Sequence, residues 1–219
     1  MYQSCHDLGM SAPMPVPVPA SRHLARHEGQ VTSEQRQQRL RQRPATVWLT
    51  GLSGAGKSTL AYELEHRLHG LGLSSFVLDG DNLRHHLNRD LGFSGAERRE
   101  NIRRVAEVAA LMNQAGLVVF TALISPQRAD REMARAIIGE PHFIEVHVST
   151  GLDVCEQRDP KGLYEKARAG LIPQFTGVSA PYEAPSAPDF RIDTAQHSLA
   201  DAATLMLDGL RQRGLLGIW

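Results

Sequence analysis

The chain has 219 residues, enough for one substantial α/β domain with a tail. Lysine and arginine number 24 against 24 aspartate and glutamate, so the net charge is zero, and broad attraction to nucleic acid or an anionic membrane is not indicated. Cysteine stands only at Cys5 and Cys155, which excludes a disulfide framework or a cysteine metal cluster and fits a reducing, cytoplasmic setting.

No apolar run approaches the ~20 residues of a membrane span, and the first residues lack the basic flank and apolar core of a secretory signal. Residues 1–43 read as an arm. Pro13, Pro15, Pro17 and Pro19 alternate with other residues, which forbids a helix and favours extended, polyproline-like backbone. Residues 30–43 are rich in Gln and Arg and read as a solvated helix or arm leading into the domain. On composition the first 25 or so residues read as disordered. A proline-rich docking ligand and an organellar targeting peptide are the functional alternatives; Asp7 and Glu28 weigh against targeting.

Residues 44–219 read as the folded domain. A strand-like run, residues 45–50, leads into Gly51-Leu52-Ser53-Gly54-Ala55-Gly56-Lys57-Ser58-Thr59. This is the P-loop spacing: a glycine, four residues, then Gly-Lys-Ser. Leu60, Ala61, Leu64 and Leu68 then follow on one helical face. Such a loop turns its backbone N–H groups around phosphate oxygens, helped by the partial positive charge of the helix N-terminus. Lys57 would reach the β- and γ-phosphates, and Ser58 would ligate the bridging magnesium.

Further strands are predicted at 75–79, 117–123, 143–148 and 190–193. Helices are predicted at 97–115, 128–138, 152–157 and 199–213. Residues 159–188 carry several Gly and Pro and read as a long ordered loop or lid. Alternating β and α predicts a P-loop NTPase-type three-layer fold. It has a parallel sheet of about five strands, helices on both faces and right-handed crossovers. The ligand crevice then lies at the carboxyl ends of the strands.

Three polar groups follow predicted strands. Asp79-Gly80-Asp81-Asn82-Leu83-Arg84 sets two carboxylates near the P-loop. One suits magnesium and the other a substrate hydroxyl, with Arg84 facing an anion; a solvated Asp-Gly turn is the bland alternative. Residues 97–104 hold Arg98, Arg99, Arg103 and Arg104 among acids. They read either as a solvated helix face with i,i+4 pairs or, for Arg98 and Asn101 on one face, as an anion site. Ile124-Ser125-Pro126 follows a buried strand, and Ser125 is either a substrate hydrogen bonder or a turn residue. Phe93 and Phe175 lie outside any periodic apolar run, in loops, and are poor candidates for core packing.

These residues resemble the adenylylsulfate kinase family. The resemblance is carried by the P-loop block 48–59, by Asp79-Gly80-Asp81-Asn82-Leu83-Arg84, by residues 90–94 and 100–104, and by Ile124-Ser125-Pro126. It continues through residues 155–164, Phe175-Thr176-Gly177 and residues 181–185, in order, over roughly 44–213. It implies transfer of the γ-phosphoryl of ATP, with Mg2+, to the 3′-hydroxyl of adenosine 5′-phosphosulfate. The P-loop residues Gly51, Leu52, Ser53, Gly54, Ala55, Gly56, Lys57, Ser58 and Thr59, with Arg158, would hold ATP. Ser58 and Asp79 would hold the metal, and Asp81 would sit by the accepting hydroxyl.

By the same resemblance Phe93 and Phe175 sandwich the acceptor adenine, and Arg84, Arg98 and Asn101 contact its phosphosulfate and ribose. Ile124 and Ser125 also belong to the acceptor site, and Lys161, Gly162 and Leu163 to a lid over it. Ser125 matches a serine described as a phosphoserine intermediate, although in-line transfer needs positioning and charge neutralisation, not a covalent relay. His86, Glu97 and Gln127 depart from the usual glycine, aspartate and tyrosine. A homodimer and an ATP sulfurylase partner are implied, and no nucleic acid or membrane. Two other readings compete: a sugar or shikimate-type kinase, against which the paired phenylalanines argue, and a catalytically silent regulatory subunit, against which Lys57, Ser58, Asp79 and Asp81 argue.

Overall fold

The computed structural model describes residues 25, 27 and 29–216; the proline-rich stretch at 13–19 lies outside the described residues. From Val31 onward the chain forms one compact unit. Helix α1, Ser33–Leu40, opens with a capping box between Thr32 and Gln35 and buries none of its residues, as a Gln/Arg-rich solvated helix should. Gln42 is the exception within that stretch. It is fully buried; its Nε2 donates to Ser74 O at 2.8 Å and Gly116 O at 2.7 Å, and its Oε1 accepts from Ser74 N. An amide satisfied on both ends pins the entry into the domain to the chain just before the next two strands of the sheet.

Strands β1 (Ala45–Thr50), β2 (Ser75–Asp79), β3 (Val118–Ala122), β4 (Phe143–Val148) and β5 (Phe190–Ile192) form one parallel sheet in the order β2-β3-β1-β4-β5. Helices α2 (Lys57–Gly70), α3 (Gly80–His85), α4 (Gly95–Gln114), α5 (Arg128–Ile138), α6 (Leu152–Arg158), α7 (Leu163–Arg168) and α8 (Leu199–Gln212) complete it. Every residue of β1 and β3 is buried, which is why the run at 117–123 reads as continuously apolar. Alternation sorts their side chains: Val47, Leu49, Phe120 and Val146 pack with Leu60 and Leu64 of α2 and Met206 of α8. Trp48, Leu78, Val119 and Phe143 pack on the other side with Ile102 and Val105 of α4 and Ala134 of α5. Each fully buried leucine of α2 contributes about 1.5–3 kcal/mol.

Two segments carry more order than their sequence suggests. Asp79-Gly80-Asp81 is the start of helix α3, not a solvated turn, because the Asp79 carboxylate accepts the N–H groups of Asp81 and Asn82. The stretch 159–188 contains α7, capped by Asp159, whose carboxylate accepts from Leu163 N, Tyr164 N and Glu165 N.

Candidate active site

At the carboxyl end of β1 the chain turns into the P-loop. Gly51 has φ 152°, and a Cβ there would meet Val148 O at 2.4 Å; Gly54 has φ 75°, and a Cβ would meet Cys155 O at 2.8 Å. Only glycine fits these close approaches. Lys57 is buried and its Nζ donates to Gly51 O at 3.0 Å and Leu52 O at 2.7 Å. Burial pushes its ammonium down to about 8, the direction expected of a cation out of reach of water. Anionic phosphates in the loop would supply the missing counter-charge.

The Ser58 hydroxyl donates to Asp79 Oδ2 at 2.7 Å, while Asp79 Oδ1 accepts from Asp81 N at 3.0 Å and Asn82 N at 3.2 Å. A hydroxyl and a carboxylate side by side give oxygen-only donors beside the P-loop. No group of three or more His, Cys, Asp or Glu that could hold a metal occurs among the described residues. That donor set fits magnesium, which keeps waters and shares phosphate oxygens with few protein ligands.

A cleft of about 890 Å³ runs from this loop to the residues expected to take the acceptor. From the loop it is lined by Ser53, Gly54, Gly56, Lys57, Ser58 and Thr59; from β2 and α3 by Asp79, Asp81 and Arg84. Phe93, Arg98, Asn101, Ile124, Ser125, Lys161, Leu163 and Phe175 complete the expected set within it. Gly51, Leu52, Ala55, Arg158 and Gly162 do not line it. Gly162 instead occupies the backbone position just before α7, in the left-handed region at φ 62°, while the Asp159 carboxylate accepts the helix N–H groups. Arg158 donates to Thr194 Oγ1 at 2.7 Å and Thr194 O at 3.0 Å, and reaches Gly54 O at 3.4 Å, on the outer side of the P-loop.

Across the cleft, Lys161 of the lid forms an ion pair with Asp81. Arg84 donates to Leu91 O at 3.1 Å and Gly92 O at 2.9 Å. Arg98 ties the two aromatic loops together: its Nε donates to Phe93 O at 2.8 Å, Nη1 to Thr176 Oγ1 at 3.0 Å and Nη2 to Gln174 O at 2.6 Å. Asn101 is buried and accepts from Asn88 Nδ2 at 3.0 Å. The reading of the arginine run as a solvated, ion-paired helix face holds for Arg103 and Arg104. Arg103 and Arg104 pair with Glu100, and Arg104 also with Asp90, on the solvated face; the Arg103 hydrogen bond, joined by Arg104, holds the Glu100 carboxyl down at about 2.

Phe93 is 64% exposed, outside the core as expected of a loop aromatic, but Phe175 is 8% exposed. The expectation that Phe175 avoids core packing is therefore corrected. The unforeseen helix α7 brings Tyr164 against it, edge to face, with ring centroids 5.0 Å apart. Tyr164 Oη donates to Ser53 O at 2.9 Å, so the lid is fastened to the P-loop. His86 has φ −129° and is exposed, so a side chain fits where glycine is usual.

Sequence reasoning missed several residues. Thr194 Oγ1 donates to Ala55 O at 2.9 Å and braces the P-loop; its place just after β5 is the only signal. Tyr182 Oη lies 3.0 Å from Thr50 Oγ1, and the block 181–185 had at least marked it. Arg131 is buried beneath Ser125, and nothing distinguishes it from the charged residues around it in α5.

A phosphate loop and an acceptor cleft meeting at the carboxyl ends of a parallel sheet define the class: a P-loop kinase fold built for a small-molecule acceptor. Residues 43–193 match the family model described as adenylylsulphate kinase, and the chain belongs to that family. An adenylyl-sulfate kinase of Shewanella amazonensis is 55% identical over 194 residues, 89% of this chain and 98% of that one. The bifunctional enzyme NodQ of Azospirillum brasilense is 52% identical over 199 residues, 91% of this chain but 32% of that protein. The solved Mycobacterium tuberculosis APS kinase CysC in complex with AMPPNP and APS superposes with a TM-score of 0.75 at 48% identity, over 78% of this chain and 99% of that one.

Proposed function

We infer that this protein phosphorylates the 3′-hydroxyl of adenosine 5′-phosphosulfate from ATP, giving 3′-phosphoadenosine 5′-phosphosulfate and ADP, in sulfate activation. The observation that carries this reading is the shared cleft. Lys57 and Ser58 face it from the nucleotide side, and Asp81, Phe93 and Arg98 face it from the acceptor side. The M. tuberculosis relative of the same fold was solved with AMPPNP and APS.

In this mechanism the protein supplies position and charge. The loop from Gly51 to Thr59 wraps the phosphates, and Lys57 exchanges its two loop carbonyls for β- and γ-oxygens. Arg158, beside Gly54 and Thr194, belongs to the ATP side of the site. Ser58 and Asp79 would hold magnesium, which would supply charge neutralisation on the transferred group. Asp81 exchanges Lys161 for the accepting hydroxyl and takes its proton. Lys161, Gly162 and Leu163 then close over the acceptor and keep water out. Phe93 and Phe175 hold the adenine, while Arg84, Arg98 and Asn101 hold the sugar and phosphosulfate. Ile124 and Ser125 contact the acceptor from the end of β3.

Incubation with γ-labelled ATP and adenosine phosphosulfate should move the label onto the acceptor; label appearing only as free phosphate would contradict the reading. We assign the chemistry to residues 44–219, outside the arm of 1–43. We add a homodimer as an expectation of the resemblance and an ATP sulfurylase as a candidate partner; the match to one part of a bifunctional relative fits a kinase joined to a second activity. No helix among the described residues is long and apolar enough to cross a membrane. The buried free thiol of Cys155 supports the cytoplasmic placement.

A further inference from the structure

Ser125 sits directly after β3 with φ 39°, in the left-handed region that a residue bearing a Cβ avoids. It is 3% exposed, and three groups from two other elements, α5 and β1, hold it and the residue before it. Arg131 Nη1, from α5, donates to Ser125 O at 2.7 Å. Thr50 Oγ1, at the end of β1, donates to Ile124 O at 2.7 Å. Trp48 Nε1, also on β1, donates to Ser125 Oγ at 3.2 Å.

Two of these holders are themselves buried and held. Arg131 is itself 3% exposed; its Nε donates to Glu145 Oε1 and its Nη2 to Glu183 O, both at 2.7 Å. Trp48 is fully buried and stacks on Phe143 with centroids 5.7 Å apart.

A serine hydroxyl has one proton and two lone pairs, and an indole N–H is a donor only. Trp48 therefore occupies a lone pair of Ser125 Oγ and leaves the proton unspent. Among the described residues no hydrogen bond takes that proton. Ser125 forms part of the cleft wall. A buried donor seeks an acceptor, and here the ligand side of the cleft is where one would stand.

We propose that Trp48 and Arg131 are positioning residues that fix Ser125 as a hydrogen-bond donor to the acceptor nucleotide, where it recognises a ring nitrogen or sugar oxygen. The proposal rests on the reading of the cleft as an adenosine phosphosulfate site. Trp48 sets the hydroxyl rotor and Arg131 sets the backbone that carries it; neither touches the ligand.

Calorimetric titration of adenosine phosphosulfate and, separately, of a non-hydrolysable ATP analogue tests this. The proteins are wild type, Ser125→Ala, Trp48→Phe and the double variant. Ser125→Ala and Trp48→Phe should each weaken the acceptor about fivefold, the worth of one neutral hydrogen bond. The double variant should be no weaker than Ser125→Ala, because Trp48 acts through Ser125. The ATP analogue should bind all four alike. Unchanged acceptor affinity in folded Trp48→Phe, or losses that multiply in the double variant, would overturn it.

Should Trp48→Phe not fold, emission decides the matter without a Trp48 variant. A Trp219→Phe background leaves Trp48 as the single tryptophan. Acceptor, and not the ATP analogue, should shift its emission, and Ser125→Ala should abolish the shift. An acceptor shift that survives Ser125→Ala overturns the proposal while the functional reading stands. Wild type that binds the analogue but not adenosine phosphosulfate overturns both.

Discussion

The Arg84 guanidinium lies 4.3 Å from the centroid of the Phe93 ring, so one face of that ring is already covered by a cation. The ring is otherwise open to solvent, and truncating it removes little packing. Phe93→Ala should weaken adenosine phosphosulfate by about 1–3 kcal/mol, the range for one base–aromatic stack, with melting temperature and ATP affinity nearly unchanged. Calorimetry with each nucleotide and a thermal melt check this. Equal loss for both nucleotides, or none for either, would contradict the clamp.

Phe175 should behave differently, because it packs on Tyr164 within the main core. Phe175→Ala should cost about 3–5 kcal/mol of stability as well as acceptor affinity. Phe175→Leu keeps most of the volume but loses the aromatic face, so it separates the two effects: most of the stability returns and the acceptor affinity does not. Combined with Phe93→Ala the binding losses should be non-additive, since removing one side of a sandwich already loosens the other. Urea denaturation alongside calorimetry reads both quantities.

Lys57 links the phosphate loop to pH. Burial lowers its ammonium from 10.5 to about 8. Between those values the unfolded chain holds a proton that the folded chain has released, so this group's contribution to stability rises with pH across that window. Below about 8 the buried charge is a full penalty. Ligand-free Lys57→Met should therefore exceed wild type by about 1–3 kcal/mol near neutral pH, and the gap should narrow as pH rises through about 8 towards 10.5. Its turnover should vanish, because the lost charge supplies ~3 kcal/mol or more of transition-state stabilisation. Near-wild-type kcat in a folded variant would contradict the role.

Asp81 and Lys161 make a more local prediction. Asp81→Asn keeps the shape but cannot take the hydroxyl proton, so kcat should fall about 10²–10⁴-fold with a much smaller rise in acceptor KM. Steady-state kinetics with acceptor varied and ATP saturating separate the two. A variant nearly as active as wild type would pass the proton to Asp79 or to water.

Much of the fold was legible because its signals are local. The strand-like run of β1, the apolar run of β3, the P-loop glycines and the spacing of Leu60, Leu64 and Leu68 each state their structure within a short window. Helix α7 was not legible: its cap is the Asp159 carboxylate reaching three N–H groups across a Gly- and Pro-bearing stretch, and its partner Phe175 is distant in sequence. The same limit hid Gln42, Thr194 and Arg131. Each acts through hydrogen bonds to segments far along the chain, and nothing in a window around it announces them. Most of the cleft-lining residues stood at strand ends and in quoted motifs, whereas the residues bracing them stood inside elements.

ADP release by the purified protein, measured in a coupled assay with adenosine phosphosulfate, gluconate and shikimate in parallel, tests the central claim most directly. Magnesium-dependent release with adenosine phosphosulfate alone, abolished by Lys57→Ala, is the expected result. Release driven by gluconate or shikimate, or none with any acceptor from a folded protein that binds ATP, would contradict it.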